Sequence, residues 1–506
     1  MPKIDTMSSF KRYLLFSSGF TALVILMIAC VVQRNPVTGK KRAYGYSWAE
    51  EQQIGKDADR SIQQQYGIYD DQELGDYVSR IGHEVLQESH LRREDTPEKY
   101  KNTEFTFRVL NSPVVNAFAL PGGYVYVTRG LLAHLNNEAQ LAVVLGHEIG
   151  HVAARHASQQ AFQQKIGQAA LVGGAVVGQE VFGVSGQDIL NLGGSAAKLL
   201  FLKYSRDDER EADQLGVEYA AMAGYKASEA AAFFTSLKRI SAKSGQSLPT
   251  LLSTHPDPGA REQTIPKLAE QWKEKGYDQT VVDQTKYLHE VDHIVYGDNP
   301  REGYVENDTF YHPDLKFKFP VPSGWQVINQ PSQVAIVNQD QNAVIIMQVD
   351  SKANSPEGSV SDFISNDQIT VESQGAASSG NLPAYEAVAH AQTQDGQLLK
   401  LYVYGLKYNN MIYQFIAYSS ESSFAGYKPQ FIRTTNGFSP LTDKNILAVK
   451  PVRITLLSTN KTADFSSFLP SKFPMDITGQ DVSIMNQYEM NSQVSQGTLL
   501  KIPEQN

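Results

Sequence analysis

A single cysteine, Cys30, in 506 residues rules out an intrachain disulfide and a cysteine-built metal cage. Any metal in this chain would need histidine and carboxylate ligands. Positive charge is also short: 45 Lys and Arg stand against 54 Asp and Glu, for a net charge of -9. Nucleic acid therefore has no electrostatic reason to bind and is not expected as a partner. Long apolar runs are lacking beyond the first 32 residues; the Gly- and Ala-rich stretch 166–200 is too broken to span a bilayer and reads as small-residue helices with a loop. What remains is a globular composition, 41% hydrophobic and 10% aromatic, in a chain long enough for two or three domains.

The exception is the start. Lys11 and Arg12 precede the apolar run YLLFSSGFTALVILMIA, which ends at Cys30. Basic residues, an apolar stretch, a small residue and then cysteine resemble a bacterial lipoprotein signal peptide, with Cys30 the lipidated residue. The alternative is a retained membrane anchor, since the run from Tyr13 to Val32 has about the 20 residues that cross a bilayer. Basic residues on both sides leave charge undecided between the two. Either way the membrane is an expected partner, through a lipid or a helix. Val31, in place of an inner-membrane retention Asp, favours an outer-membrane lipoprotein facing the periplasm over inner-membrane anchoring. Residues 1–30 are thus read as targeting sequence and 31–47 as an aperiodic tether.

From Trp48 the apolar spacing is helical. FTFRVL (105–110) and YVYVTRGLL (124–132) read as strands around NAFALPGG. Asn137 offers a helix N-cap with Gln140 as its capping-box partner, and Ser205 with Asp208 opens a second helix. Helical patterning continues to about Lys275, so residues 48–280 form one mainly helical domain with a small sheet. Residues 300–442 alternate or run β-branched, with helical stretches near 361–370 and 423–435, and read as a separate α+β domain. Residues 446–506 hold one more small unit. The overall class is α+β.

Within LAVVLGHEIGHVAA, His147, Glu148 and His151 are the polar side chains of an otherwise apolar helix. Four residues of spacing puts both imidazoles on one face, close enough to share an ion, with Glu148 flanking them. Zinc takes nitrogen ligands, and H-E-x-x-H supplies two of them plus a carboxylate beside the bound water. Hydrogen-bonded core histidines are the alternative, but three clustered polar groups would each cost about 1–3 kcal/mol unpartnered. Gly146 and Gly150 weaken the helix and point to something packing very close. On SRDDEREADQLGVEYAA, Glu209 and Asp213 share a stripe with Ala212, Gly216 and Ala220, whereas Arg210, Glu211, Gln214 and Glu218 face the other way, toward water. Two inward carboxylates call for a cation. Glu209 is expected to ligate it, and Asp213 to hold a ligand imidazole by its second nitrogen. His156 is expected away from the metal face, either behind a ligand or at the surface.

HEIGH, YSRDDEREAD, the preceding NAFALPGGYVYVTRGLL and the following STHPDPGAR, in that order, resemble the family of HtpX, Oma-type and CAAX prenyl endopeptidases, metallopeptidase family forty-eight. The resemblance covers roughly residues 48–275. It implies a gluzincin-like zinc endopeptidase holding one Zn2+ per chain through His147, His151 and Glu209, with Glu148 as base. It also implies a cleft edge strand at 124–128, where Tyr124, Val125 and Tyr126 would hold an extended protein substrate by strand addition. His255 and Arg261, in the family's His-Pro motif, become candidate donors to the oxyanion. His255 could instead occupy the open metal position and keep the enzyme latent, or sit on a plain turn. Asn116 is either a substrate-backbone contact or a turn residue. Residues 300–442 resemble the accessory domain of secreted members, with His312 and Trp325 as packing groups, and the tail resembles a degenerate LysM module, which makes peptidoglycan a candidate partner. The expected function is hydrolysis of misfolded or unassembled cell-envelope proteins. The alternative is a membrane-tethered chaperone or peptidoglycan-binding scaffold with a latent protease fold.

Overall fold

The computed structural model describes residues 32–172, 204–243, 251, 254–256, 260–392 and 396–505. The targeting sequence with Cys30 and most of the Gly/Ala-rich stretch lie outside the described residues. No helix among the described residues is long and apolar enough to cross a membrane.

Residues 32–47, expected as part of an aperiodic tether, begin with a short hairpin. Val32–Arg34 (β1) pairs antiparallel with Lys41–Ala43 (β2). The turn is organised by the buried Asn35, whose Oδ1 accepts from the backbone of Val37 and Thr38 and whose Nδ2 donates to the carbonyl of Ala154. The Asn-Pro and Thr-Gly pairs around this turn were the available signal. The helices Trp48–Tyr66 (α1) and Gln72–Gln87 (α2) follow. Both begin at side-chain caps, Ser47 and Asp71.

Thr106–Leu110 (β3), Ala117–Leu120 (β4) and Tyr124–Thr128 (β5) make a three-stranded sheet in the order β3-β5-β4. β5 runs parallel to β3 and antiparallel to β4, so it is the central strand and not the edge expected from the resemblance. The strand stops at Thr128, whose hydroxyl caps Arg129–His134 (α3). Next comes Glu138–Ala154 (α4), the helix of the HEIGH stretch, buried along its whole length. Asn137 caps it by accepting from the amide of Gln140, while the Gln140 side chain accepts from Asn136, one residue before the position a capping box requires. The helix ends where Arg155 turns left-handed (φ 62), and His156–Val172 (α5) starts again in a new direction. Arg206–Met222 (α6) opens with a complete capping box from Ser205 and Asp208. Ala230–Lys243 (α7) and Arg261–Glu274 (α8) complete the described helices around the site.

α4 and α6 cross at their glycines. A methyl group on Gly146 would lie 2.8 Å from the Gly216 carbonyl oxygen, and one on Gly216 would lie 2.8 Å from the His147 backbone nitrogen. The helix-weakening glycines therefore permit a backbone approach that any larger residue would block. This approach brings the acidic stripe of α6 to the histidines.

The second domain has a seven-stranded antiparallel sheet. Its spatial order is Ile369–Ser379, Leu382–Gln392, Leu398–Tyr408, Met411–Ser420, Ala343–Val349, Gln333–Val337 and Gln326–Gln330. Its helices are Pro356–Ile364 and Phe424–Asn436. The first starts five residues before the expected 361, because Ser355 caps it and Pro356 sits in its first turn. Trp325 packs edge-on to Tyr427 and Phe431, and His312 against Phe310 and Phe317, as packing groups do.

At the C-terminus Arg453–Ser458 pairs antiparallel with Leu499–Glu504, with the helix Gly479–Asn486 between them in sequence. Ile454, Phe465, Val482, Met485, Val494, Leu500 and Ile502 belong to the same buried cluster as Leu132, Leu141 and Ile149. The unit is thus packed into the first domain. Lys501, wholly buried, donates to the carbonyls of Ala133 and Leu135 at the end of α3. Asn136 donates to the carbonyl of Met485, and Gln487 donates to the carbonyl of His134 and bonds the Gln140 side chain. The C-terminal unit therefore braces the corner that starts the HEIGH helix.

Candidate metal centre

His147 and His151 project from one face of α4, and Glu209 enters from α6; with His255, their donor atoms all lie within 4.8 Å of one another, and all four residues are buried. His147 Nε2 is 3.0 Å from His151 Nε2, 3.3 Å from His255 Nδ1 and 3.5 Å from Glu209 Oε2. His151 Nε2 is 3.5 Å and His255 Nδ1 3.1 Å from Glu209 Oε1.

Hydrogen-bond directions show what this cluster lacks. His147 Nδ1 lies 3.0 Å from Asp213 Oδ1, an acceptor, so that nitrogen carries the proton and Nε2 turns its lone pair inward. His151 Nδ1 likewise has its own partner, His156, leaving Nε2 toward the cluster. With no proton on His147 Nε2, two nitrogen lone pairs and a carboxylate oxygen would face one another, a repulsive set that a cation, or a second proton on His147, relieves. Arg261 supplies charge only from behind: Nη2 donates to Glu209 Oε2 at 2.5 Å and Nε to Asp213 Oδ2 at 2.8 Å. Nitrogen and oxygen donors with no sulfur suit zinc.

The protonation tendencies agree. Burial lowers the His147 pKa, but Asp213 and Glu209 outweigh it and raise the group to about 9, so that a proton does there what a dication would do. Burial and the neighbouring His147 push His151 far down, leaving it neutral. Burial raises Glu209, but His255, His147 and His151 overcome it and keep the carboxylate ionised far below its usual range.

Glu148 is 1% exposed, and neither of its carboxylate oxygens has a hydrogen-bond partner. His255 Nε2 lies 3.8 Å from its Oε1. Burial raises its pKa, the direction that makes a carboxylate a usable proton acceptor near neutrality. Unpartnered buried carboxylates are costly and mark sites that await a ligand.

The remaining expected residues fall elsewhere. Tyr124, Val125 and Tyr126 are hydrogen-bonded in the sheet on both sides; Val125 and Tyr126 are buried, and the Tyr126 hydroxyl donates to Asp59. They cannot take up a substrate strand. β4 is the edge on that side of the sheet, and Asn116 just before it is buried with Oδ1 unpartnered. Arg261 is spent on Glu209 and Asp213 and is itself 2% exposed, so it holds the acids in place. His156 and Glu211, both expected away from the metal, are joined behind His151. Of the two places expected for His156, behind a ligand or at the surface, it takes the first, and the helix break at Arg155 lets it turn back onto His151. Tyr204, unremarked in the sequence, stacks on His151 at 4.1 Å.

Two histidines a turn apart, an acid between them and a third ligand-bearing acid on a crossing helix define an HExxH-type metallopeptidase site. Residues 76–269 match the family model of Peptidase family M48. It is 34% identical to mitochondrial metalloendopeptidase OMA1 of Arabidopsis thaliana over 31% of this chain and 30% of that protein. It is 33% identical to OMA1 of Bos taurus over 32% of each chain, and 28% identical to beta-barrel assembly-enhancing protease of Escherichia coli K12 over 45% of each. The chain spans less than half the length of each of these relatives.

Proposed function

We propose that this chain is a zinc-dependent endopeptidase that cleaves misfolded or unassembled proteins of the bacterial cell envelope. The observation that carries the reading is the set of inward-facing acceptors on His147, His151 and Glu209 beside the orphaned carboxylate of Glu148. Zinc bound there would acidify water and polarise the scissile carbonyl. Glu148 takes the proton from the attacking water and returns it to the amide nitrogen as the C–N bond breaks. Asp213 and Arg261 hold His147 and Glu209 at their working orientation. The substrate lies extended along the edge of β4, with Asn116 Oδ1 accepting from its backbone. The envelope setting, on the periplasmic side of an outer membrane reached through Cys30, rests on the lipoprotein-like start of the chain and on the name of the Escherichia coli relative. Peptidoglycan contact by the C-terminal unit would use only the face turned away from the first domain.

Metal analysis tests the centre directly. The purified full chain is expected to carry about one zinc, and Glu209→Ala to lose most of it, because an inward acceptor is replaced by nothing while the buried Arg261 keeps only Asp213 as its partner. Full zinc in Glu209→Ala would remove this residue from the ligand set.

His255 favours a second reading, a latent or chaperone-like state. Its Nδ1 stands among the donors, and four protein ligands leave zinc no open position. Under this reading His255→Ala raises basal hydrolysis; if His255 instead donates to the oxyanion, the same substitution lowers it by about 100-fold or more. Steady-state cleavage of an unfolded protein distinguishes the two.

A further inference from the structure

His151 turns Nε2 toward the cluster, and its other nitrogen, Nδ1, lies 2.9 Å from Nδ1 of His156. One proton must lie between these two nitrogens, and His156 decides where it originates. Its Nε2 is 3.2 Å from Glu211 Oε2 and 3.7 Å from Asp208 Oδ1, both carboxylates that only accept. A single proton on His156 belongs on Nε2, facing the carboxylates, which makes Nδ1 the acceptor. The bond to His151 then runs from His151 Nδ1–H, which leaves a lone pair on His151 Nε2, facing Glu209 and His147. His147 gets the same result from a carboxylate in direct contact, Asp213.

We propose that His156, backed by Glu211 and Asp208, is the positioning residue that selects the metal-binding tautomer of His151 and fixes the tilt of its ring. Three observations separate this from simple packing. His156 is 1% exposed, yet both its nitrogens have partners of the polarity the relay needs. The left-handed Arg155 breaks the helix between the two histidines, which lets residues five apart meet. Tyr204 stacks against His151 with planes 24° apart, so the ring is held on its face as well as at its edge. The proposal rests on reading the cluster as a zinc site.

The test is zinc affinity of the full chain, measured by competition with a chromophoric chelator, with the thermal melt as a check of folding. His156→Phe keeps a ring but removes the acceptor, and zinc affinity is expected to fall about 10- to 100-fold. His156→Asn places an amide oxygen near the Nδ1 position and is expected to restore most of that loss. Glu211→Leu, at a partly exposed site where folding is not at risk, is expected to weaken binding several-fold. Zinc binding by His156→Phe as tight as wild type, an Asn variant as weak as the Phe variant, or no effect of Glu211→Leu would overturn the relay. Wild type that binds no zinc would overturn the reading of the cluster and the relay with it. Loss in His156→Phe from wild type that does bind zinc supports both.

Discussion

Glu148→Gln is expected to lower peptide-bond hydrolysis by about 100- to 10,000-fold, the range for removing a general base, while leaving zinc content near that of wild type. The substitution exchanges one oxygen for an amide nitrogen of similar size, so the packing of α4 is kept. Glu148 makes no side-chain hydrogen bond whose loss would disturb the fold. What the amide cannot do is accept the proton of water. The measurement is cleavage of casein or of an unfolded outer-membrane β-barrel protein, with zinc determined on the same preparations. Equal cleavage by the two proteins would leave the chain a binding module with a peptidase fold.

Deleting residues 453–506 is expected to abolish the cooperative folding of the first domain, not merely a peripheral activity. Seven large apolar residues of this segment sit in the core shared with α3 and α4. Removing them would forfeit on the order of 10 kcal/mol of apolar burial, comparable with the whole stability of an ordinary domain. The deletion would also strip Lys501 from the carbonyls of Ala133 and Leu135 and Gln487 from Gln140, at the corner that launches the HEIGH helix. The truncated chain should be insoluble or melt without a sharp transition, and should hold no zinc. A truncated protein with the wild-type melting temperature would show the C-terminal unit to be independent.

The two expectations differ in how far they could be read from residue order. Helical spacing alone put His147 and His151 on one face with Glu148 beside them, and the apolar stripe of the later helix pointed Glu209 and Asp213 inward. Glycines in a buried helix announced a close approach, and Gly216 on the facing helix is what approaches. The C-terminal unit was visible as a segment, but its burial against the first domain was not. An apolar residue shows that it will be covered, not by which element.

The remaining surprises share that cause. Alternation in YVYV marks a strand, yet a period of two is the same for a central and an edge strand, so the flanking of β5 by β3 and β4 needed the assembled sheet. The short hairpin at 32–43 escaped notice because its strands are three residues each and draw stability from Asn35 capping a distant helix. His156 could be placed off the metal face by its spacing, but its contact with His151 depends on the left-handed residue between them. Residue order by itself determined the chemistry that local periodicity can express: two imidazoles, their neighbouring acid and a carboxylate stripe. Only the tertiary structure decided which distant groups orient them, because Arg261, His255 and Glu211 reach the centre, and the terminal unit braces the start of its helix, through contacts that no local repeat encodes.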